Sequence, residues 1–359
     1  MRFVAPRWSH LLAAGLLLAG CKSNKEQQTA PSAPATKPAV PTAATITDAT
    51  LSYLESAGEQ KCRWVQHTPP GEPKALFTLP SHCDEVKLAW SMDGKEGLAY
   101  LPGPTEGEAP RAWRVELATG KGTALSRPPL GRVGAFGFDA KGHPLALMED
   151  PREPVGEGDK REIQFEGKSY PAAMDGQPGL AHAFRLEGDS WKRFETKDTS
   201  FEWDYAAGVS ALAAYDAMGP TPEKLSSSAM EAFKPVPEGS PVLAELNAIQ
   251  QASDETGSWK QVELPGGPLY VWEASDGELP YLSAPVRIQG AKGLAEPEGL
   301  SVSGSLSLAT RGEWVLVNSG GAETGPLARL WNAKTKKLVA SLADKSTVTF
   351  WPKPSSTTP

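Results

Sequence analysis

The chain has 359 residues, with 36 Lys and Arg, 43 Asp and Glu, and a formal net charge of −7. This acidic balance gives no electrostatic footprint for nucleic acid or for an anionic lipid surface, so neither is expected as a partner. The chain is rich in Gly and Pro and has 11 Trp. Its apolar runs are short and are separated by residues typical of turns, a pattern that predicts a β-rich fold.

The N-terminus carries the features of an export signal. Arg2 and Arg7 precede an apolar run over residues 11–20. This run is about half the length that spans a bilayer, so we interpret residues 1–20 as a processed signal peptide and not as a transmembrane helix. Its removal leaves 34 basic and 43 acidic side chains, a net charge near −9.

The end of this run, Leu18-Ala19-Gly20-Cys21, resembles the lipobox of bacterial lipoproteins. The resemblance implies cleavage between Gly20 and Cys21, a diacylglycerol on the Cys21 thiol and acylation of the new amine, so that lipid alone attaches the protein to the membrane. Lys22 follows the cysteine. By analogy with enteric bacteria, an Asp at this position would favour the inner membrane, so Lys22 predicts the outer membrane. The protein would then face the periplasm or the cell surface. The alternative is an ordinary secretory signal with a chance cysteine.

Residues 21–48 are predicted to comprise the lipidated cysteine and a tether. It is rich in Ala, Pro, Thr and Ser, which offer little to bury and favour extended polyproline geometry. At about 3 Å per residue, it would hold the folded part up to roughly 70 Å from the membrane.

Cys62 and Cys83 remain in an oxidising compartment, and their even count predicts a disulfide. Closing a loop of about 20 residues would stabilise the fold by roughly 3 kcal/mol. His67 and His82 lie beside them and leave a soft-metal site as an alternative, although His82 and Cys83 would point to opposite faces of a strand. Two free thiols are the third possibility.

From about residue 49 the sequence repeats two hairpin templates. One joins two strands through a turn with glycine or charged residues, and it is found at residues 62–79, 112–125, 182–194, 269–282 and 328–342. The other turns tightly at Gly94, Gly142 or Gly312, within residues 87–101, 135–148 and 306–317. Glycine permits the positive φ that such turns need.

Paired hairpins give four-stranded antiparallel units, and Gly94 and Gly142 are 48 residues apart, a spacing typical of propeller blades. AWSMDGKEGLAY (residues 89–100) resembles the repeat of TolB-type propellers, with Met92 in place of Pro, and residues 328–342 resemble the outer strands of WD-repeat blades. The resemblance implies an all-β fold over residues 49–359, a β-propeller of about six or seven four-stranded blades. Residues 348–354 would close the ring. The alternative is an irregular β-rich sandwich.

A helical insertion is predicted at about residues 206–252. Thr221 with Pro222, and Ser240 with Pro241, are typical helix starts. Leu243, Leu246, Ile249 and Gln250 follow helical spacing. The insertion is interpreted as a lid over one end of the core or as an element that docks a partner.

No catalytic motif is found: the sequence has no G-x-S-x-G elbow, no H-E-x-x-H pair and no phosphate-binding glycine loop. His143 is interpreted as a solvated turn residue and His182 as the start of a strand. The acidic residues within 149–159 lack the register of a calcium loop.

Seven Trp on predicted strands are expected to fill the wedges between blades, with a sugar-stacking platform as the alternative. They are Trp90, Trp113, Trp191, Trp259, Trp272, Trp314 and Trp331.

These features predict a non-enzymatic, lipid-anchored envelope protein that binds or assembles an envelope protein partner, with no cofactor and no metal. The alternative is a propeller enzyme, or a protein that binds glycans or small molecules, acting through the central channel. A third possibility is a purely structural envelope lipoprotein.

Overall fold

The computed structural model describes residues 46–104, 109–129, 132–149, 162–165, 168–171, 181–194, 218–250, 256–275, 281–290, 293–300, 305–321 and 325–353. Cys21, the predicted cleavage site and the tether up to residue 45 lie outside these residues. Antiparallel strands dominate the described part, and they form five sheets.

Sheet A joins the beginning and the end of the described chain. Its order is β24-β1-β2-β3, and its strands are β1 (Leu51–Ser56), β2 (Cys62–His67), β3 (Lys74–Leu79) and β24 (Lys345–Phe350). A strand was predicted at residues 348–354; the observed strand β24 begins and ends earlier, at Lys345–Phe350, and it pairs antiparallel with β1. This pairing covers the edge that β1 would otherwise expose.

Sheet B has four strands and follows sheet A in the chain. Its order is β4-β5-β7-β8, and its strands are β4 (Lys87–Trp90), β5 (Glu96–Tyr100), β7 (Ala112–Glu116) and β8 (Lys121–Ala124). It combines one hairpin of each predicted template, as the sequence pattern indicated.

Sheet C has five strands in the order β14-β13-β10-β9-β6. They are β6 (Gly103–Pro104), β9 (Arg132–Phe138), β10 (Pro144–Glu149), β13 (Ala181–Glu187) and β14 (Ser190–Arg193). A separate two-stranded hairpin, β11 (Glu162–Phe165) with β12 (Lys168–Pro171), interrupts the chain between β10 and β13.

Sheet D has nine strands. They are β15 (Lys234–Pro235), β16 (Gly257–Val262), β17 (Leu269–Ala274), β18 (Tyr281–Gly290), β19 (Gly293–Ala295), β20 (Ser305–Arg311), β21 (Trp314–Gly321), β22 (Gly325–Asn332) and β23 (Lys337–Ala343). The strands β15–β18 and the strands β20–β23 become one sheet because Leu282 of β18 pairs with Leu306 of β20, and Ser283 pairs with Ser305.

The mostly antiparallel β class is confirmed, but the uniform series of six or seven four-stranded units is not found. The described residues give two four-stranded sheets, one of five strands, one of nine and one hairpin. The departures arise from the short extra pairings of β6 and β19 and from the β18–β20 junction. The turn glycines behave as predicted, with φ of 67° at Gly94, 81° at Gly142 and 56° at Gly312.

Large aromatic rings fill the space between sheets A and B. The ring of Trp64 on β2 lies 5.9 Å from that of Trp90 on β4, and the ring of Trp351, just after β24, lies 6.4 Å from each. All three side chains are fully buried. Gly97 makes room for this packing, because a Cβ there would lie 2.2 Å from the Trp64 ring. Trp90 therefore fills a wedge between sheets, as predicted.

Two helices occupy the predicted insertion. Helix α1 (Pro222–Met230) begins after Thr221, whose hydroxyl accepts a hydrogen bond from the Lys224 backbone N–H. Helix α2 (Pro241–Gln250) buries Leu246 among aromatic side chains of β16 and β17. Neither helix of the described chain is long and apolar enough to span a bilayer.

Candidate functional site

A cleft of about 660 Å³ opens between sheets A and B. It falls within the range of small-molecule and peptide sites. Sheet A contributes Gln66 and Lys74, and sheet B contributes the turn between β4 and β5 together with β7 and β8. We call this the A–B cleft; its lining residues are Ile46, Gln66, Lys74, Asp93, Gly94, Lys95, Glu96, Arg114, Glu116, Leu117, Ala118, Lys121, Thr123 and Trp351.

Asp93 organises the turn at one end of the A–B cleft. Its carboxylate accepts hydrogen bonds from the Ser91 hydroxyl at 2.7 Å and the Lys95 backbone N–H at 3.1 Å, and the Lys95 ammonium lies 3.0 Å away. Partial burial would raise the pKa of Asp93, but the hydrogen bonds from Ser91 and Lys95 outweigh it and hold that pKa below its usual value. The turn is therefore fixed by a charged carboxylate.

Arg114 and Glu96 form a two-point ion pair across β5 and β7. The Arg114 Nε donates to Glu96 Oε1 at 2.8 Å, and a second guanidinium nitrogen donates to Oε2. Such a fork holds both side chains in one geometry. Glu116, which faces Glu96 across the sheet, instead accepts from the Thr119 hydroxyl at 2.7 Å.

Two lysines of the cleft form no ion pair with a carboxylate of the described residues, although Lys121 lies opposite Glu116 across β7 and β8. Lys74 on β3 reaches across to sheet B, where its ammonium donates to the Ala118 carbonyl at 2.9 Å. Lys121 on β8 is exposed, and no ion pair of its ammonium is found within the described part of the chain. The lining carries four basic and three acidic side chains, so it is locally positive on an acidic protein.

An exposed isoleucine lies at the rim of the A–B cleft. Ile46 is 50% exposed, and Leu338, at 38%, is the only other exposed large hydrophobic residue in the described ranges. Below it, Leu117 and Trp351 are buried. Ile46 therefore adds one apolar side chain to a rim that also carries cationic groups.

The residues leading into α1 contact several sheets at once. The Gly219 backbone N–H donates to the carbonyl of Phe138, the last residue of β9, at 2.8 Å, and the Pro220 carbonyl accepts from the Trp90 N–H of β4 at 2.9 Å. Glu223 lies 4.0 Å from Lys87 of β4. The helix itself lies along β20 and β24. Residues 218–232 therefore touch sheets A, B, C and D.

Helix α1 is held without any fully buried residue. Leu225 packs against the Trp64–Trp90–Trp351 cluster, and Met230 packs against the apolar core of sheet D. Cavities of about 220 and 350 Å³ remain between this helix and the strands β20, β21 and β24. We call the second the α1 cavity; its lining residues are Pro222, Ser226, Asn318, Ser319, Pro326, Leu327, Ala328, Lys345, Ser346, Thr347, Val348 and Thr349.

Arg311 stands at the end of β20 beside the smaller cavity. Its guanidinium donates to the Trp351 carbonyl and lies 4.8 Å from the centre of the Phe350 ring. Burial lowers the pKa of Arg311, and the nearby Asp48 carboxylate partly offsets this effect. Asp48 is itself paired with Lys353 at 2.6 Å. The contacts of Arg311 therefore hold Phe350 and Trp351 against the end of β20.

The structure contains the predicted disulfide between Cys62 and Cys83. It connects the start of β2 to the segment that leads into β4. The metal alternative finds no support in the geometry: the His67 ring nitrogen lies 2.9 Å from the Gly71 carbonyl, and His82 is exposed. Across the described ranges, no group of three or more His, Cys, Asp or Glu is placed to hold a metal ion.

His143 is a turn residue, as predicted, but it belongs to a network. Its ring nitrogen lies 3.2 Å from the buried Asp139 carboxylate, which also pairs with Arg185 at 2.9 Å. Burial would raise the pKa of Asp139, but hydrogen bonds from His143 and Lys141 lower it below its usual value. His182 is buried, with its Nδ1 atom 2.8 Å from an Arg193 guanidinium nitrogen. Both arrangements stabilise sheet C.

The other residues that the sequence pattern singled out differ in burial. Trp331 is fully buried in the core of sheet D, and Trp259 and Trp272 pack edge-to-face at 5.6 Å. Trp113, Trp191 and Trp314 are half-buried. The acidic loop lies outside the described residues except for Glu149 at the end of β10. Nothing in the sequence identified Lys74, Lys121, Asn318 or Ser346 as lining a cavity, because each cavity is formed by strands that are distant in the chain.

The chain was compared with known proteins and solved structures. It is similar to TolB from Acinetobacter baumannii, with a TM-score of 0.32 and 12% identity over 85% of this chain and 67% of the TolB chain. It is also similar to the tricorn protease, with a TM-score of 0.25 and 13% identity over 84% of this chain and 31% of that one. No protein-family model and no curated protein sequence matches the chain.

Proposed function

We propose that this protein is a lipid-anchored binding platform of the bacterial cell envelope that recruits a protein partner through the A–B cleft. The observation that carries the proposal is the combination, in one cleft, of exposed Ile46 with Lys74 and Lys121, which form no ion pair with a carboxylate of the described residues. A catalytic role is not part of the proposal.

The cleft favours a partner segment with an acidic residue beside an apolar one. A carboxylate between Lys74 and Lys121 would gain charge-assisted hydrogen bonds, and an apolar side chain would cover Ile46. The flanking charges are already engaged, since Arg114 is paired with Glu96 and Lys95 with Asp93. A preorganised cleft of this kind limits the side-chain ordering that binding requires.

We further propose that the sheets are the blades of a propeller with α1 at its axis. The support is that residues 218–232 touch four sheets, through β4, β9, β20 and β24. Pairing of the C-terminal β24 with β1 is the way a circular array closes without free edges.

The anchor is tested by lipid labelling. Cells grown with an alkyne-bearing fatty acid should yield labelled wild-type protein that fractionates with membranes. Cys21→Ser should be unlabelled and released from the membrane, because the thiol that forms the thioether is gone. Labelled Cys21→Ser protein would contradict the assignment, and Ser23→Ala, two residues further along the chain, is the control that should stay labelled.

The cleft is tested by charge reversal. Lys74→Glu with Lys121→Glu should lower partner capture from the native envelope at least tenfold, because a partner carboxylate would meet like charge. Lys334→Glu with Lys337→Glu, two exposed lysines of the β22–β23 hairpin, makes the same charge change elsewhere and should leave capture intact. Equal loss in both pairs would show a general charge effect and contradict the docking site.

A further inference from the structure

The smaller of the two cavities beside α1 has a volume of about 220 Å³, and Arg311 is part of its lining. We call it the Arg311 cavity. It shares no lining residue with the A–B cleft. Sites for drug-sized molecules span about 300–1,000 Å³, so this cavity suits a smaller molecule.

Small side chains on both sides leave this space between α1 and sheet D. Ser226 and Ala229 of α1 line it, as do Ser307 and Ala309 of β20. Side chains alternate along a strand, so Ser307, Ala309 and Arg311 share one face of β20. Larger side chains at these positions would fill the space. Ser226 is exposed, so solvent reaches the cavity beside the helix.

Arg311 is the only charged residue of the lining. Within the described part of the chain its guanidinium makes one hydrogen bond, from Nη1 to the Trp351 carbonyl, although the group carries five N–H donors. It forms no ion pair with a carboxylate of the described residues, and the nearby Asp48 is paired with Lys353 at 2.6 Å. Nε and Nη2 keep accessible surface, so two nitrogens are open to an added acceptor.

The surroundings of Arg311 favour an anion. The residue is half-buried, and burial lowers its pKa, an effect that the Asp48 charge only partly offsets. A cation that has lost water without gaining an ion pair is stabilised by an anion that accepts charge-assisted hydrogen bonds. The planar guanidinium matches the two oxygens of a carboxylate.

Much of the remaining lining is apolar. Carbon surface comes from Leu225 of α1, Leu316 of β21, and Val348 and Phe350 of β24. Val348 follows a bulge at Thr347, where the register of β24 with β1 shifts. Apolar surface gains free energy when hydrocarbon covers it, whereas a strongly hydrated ion would lose water there. One cation beside apolar walls therefore favours a singly charged molecule with an apolar part over inorganic phosphate.

From these observations we propose that the Arg311 cavity binds a small monocarboxylate with an apolar tail, such as a short-chain fatty acid or an aromatic acid. Its carboxylate accepts hydrogen bonds from Nε and Nη2 of Arg311, and its tail lies against Ala309 and Leu316. The site acts independently of recruitment through the A–B cleft.

The test is titration of the purified full-length protein with butyrate and benzoate, followed by calorimetry and thermal shift. Benzamide, which has the shape of benzoate without its charge, and inorganic phosphate are the comparators. At least one carboxylate should bind with a Kd of about 1 mM or tighter, and both comparators should bind about tenfold more weakly or less. Lys74→Glu with Lys121→Glu should bind the carboxylate like the wild type, which separates this site from the cationic A–B cleft.

Two variants test the two parts of the cavity. Arg311→Met keeps an unbranched side chain without the guanidinium and should weaken the carboxylate about tenfold or more. Ala229→Leu fills the cavity from α1 and should abolish binding without lowering the Tm of the free protein, because it adds apolar contacts in open space. Ser227→Leu, at an exposed position of α1 outside the lining, is the matched control and should bind like the wild type.

Four outcomes would overturn the proposal. They are absence of binding by both carboxylates at about 10 mM, benzamide or phosphate that binds as tightly as benzoate, binding that Arg311→Met or Ala229→Leu leaves unchanged, and binding that is lost with the paired lysine changes. Ala229→Leu and the comparators leave Arg311 intact, so they decide the question even where Arg311→Met fails to fold.

Discussion

The A–B cleft and the α1 cavity differ in how their polar groups are satisfied. In the cleft, Arg114, Glu96 and Asp93 are engaged by neighbouring side chains, whereas Lys74 and Lys121 form no ion pair with a carboxylate of the described residues. In the cavity, Asn318 Oδ1 and Ser346 Oγ are buried and lack partners. The first region thus keeps unpaired charged groups at its surface, whereas the second encloses uncharged polar atoms.

The supports of the two regions differ as well. The cleft rests on three fully buried tryptophans and on the Cys62–Cys83 disulfide. The cavity is covered by α1, none of whose residues is fully buried. Because local stability follows buried contacts, we expect the floor of the cleft to open only with global unfolding and α1 to open more easily.

The largest expected effect comes from the wedge below the cleft. Trp64→Ala should lower the free energy of unfolding by about 3–5 kcal/mol, because it empties a fully buried site and removes contacts with Trp90 and Trp351. Urea unfolding of the purified protein measures this loss. Trp113→Ala, at a half-buried position of the same sheet pair, is the control and should lose clearly less. Equal losses would mean that the wedge is not the main support.

A smaller effect is expected at the start of α1. Thr221→Ala removes the side-chain acceptor of the Lys224 N–H and should cost about 1 kcal/mol. Hydrogen exchange should then accelerate for the amides of α1 and leave those of β5 and β7 unchanged. Ser228→Ala, an exposed change within the same helix, should not accelerate exchange. Faster exchange in β5 as well would show that the two regions open together.

Local pattern predicted much of the fold. Each hairpin named from the sequence is present, because alternating apolar residues and turn glycines such as Gly94 and Gly142 act over a few residues. The starts of both helices were also predicted from Thr221-Pro222 and Ser240-Pro241.

The sites were not predictable in the same way. Pairing of Leu282 with Leu306, which merges two hairpin sets, depends on packing between distant segments. The bulge at Thr347 breaks the alternation that a sequence pattern assumes. Lys74 and Lys121 are ordinary surface lysines until sheets A and B bring them to one cleft.

The most direct test of the central claim is site-specific photo-crosslinking of the lipidated protein in its native envelope. A photoreactive residue at Thr123, which lines the A–B cleft, should give one dominant protein adduct that disappears when Lys74→Glu and Lys121→Glu are added. The same photoreactive residue at Lys337 on sheet D should give no such adduct. An adduct of equal yield at both positions, or none at Thr123, would contradict recruitment through the cleft.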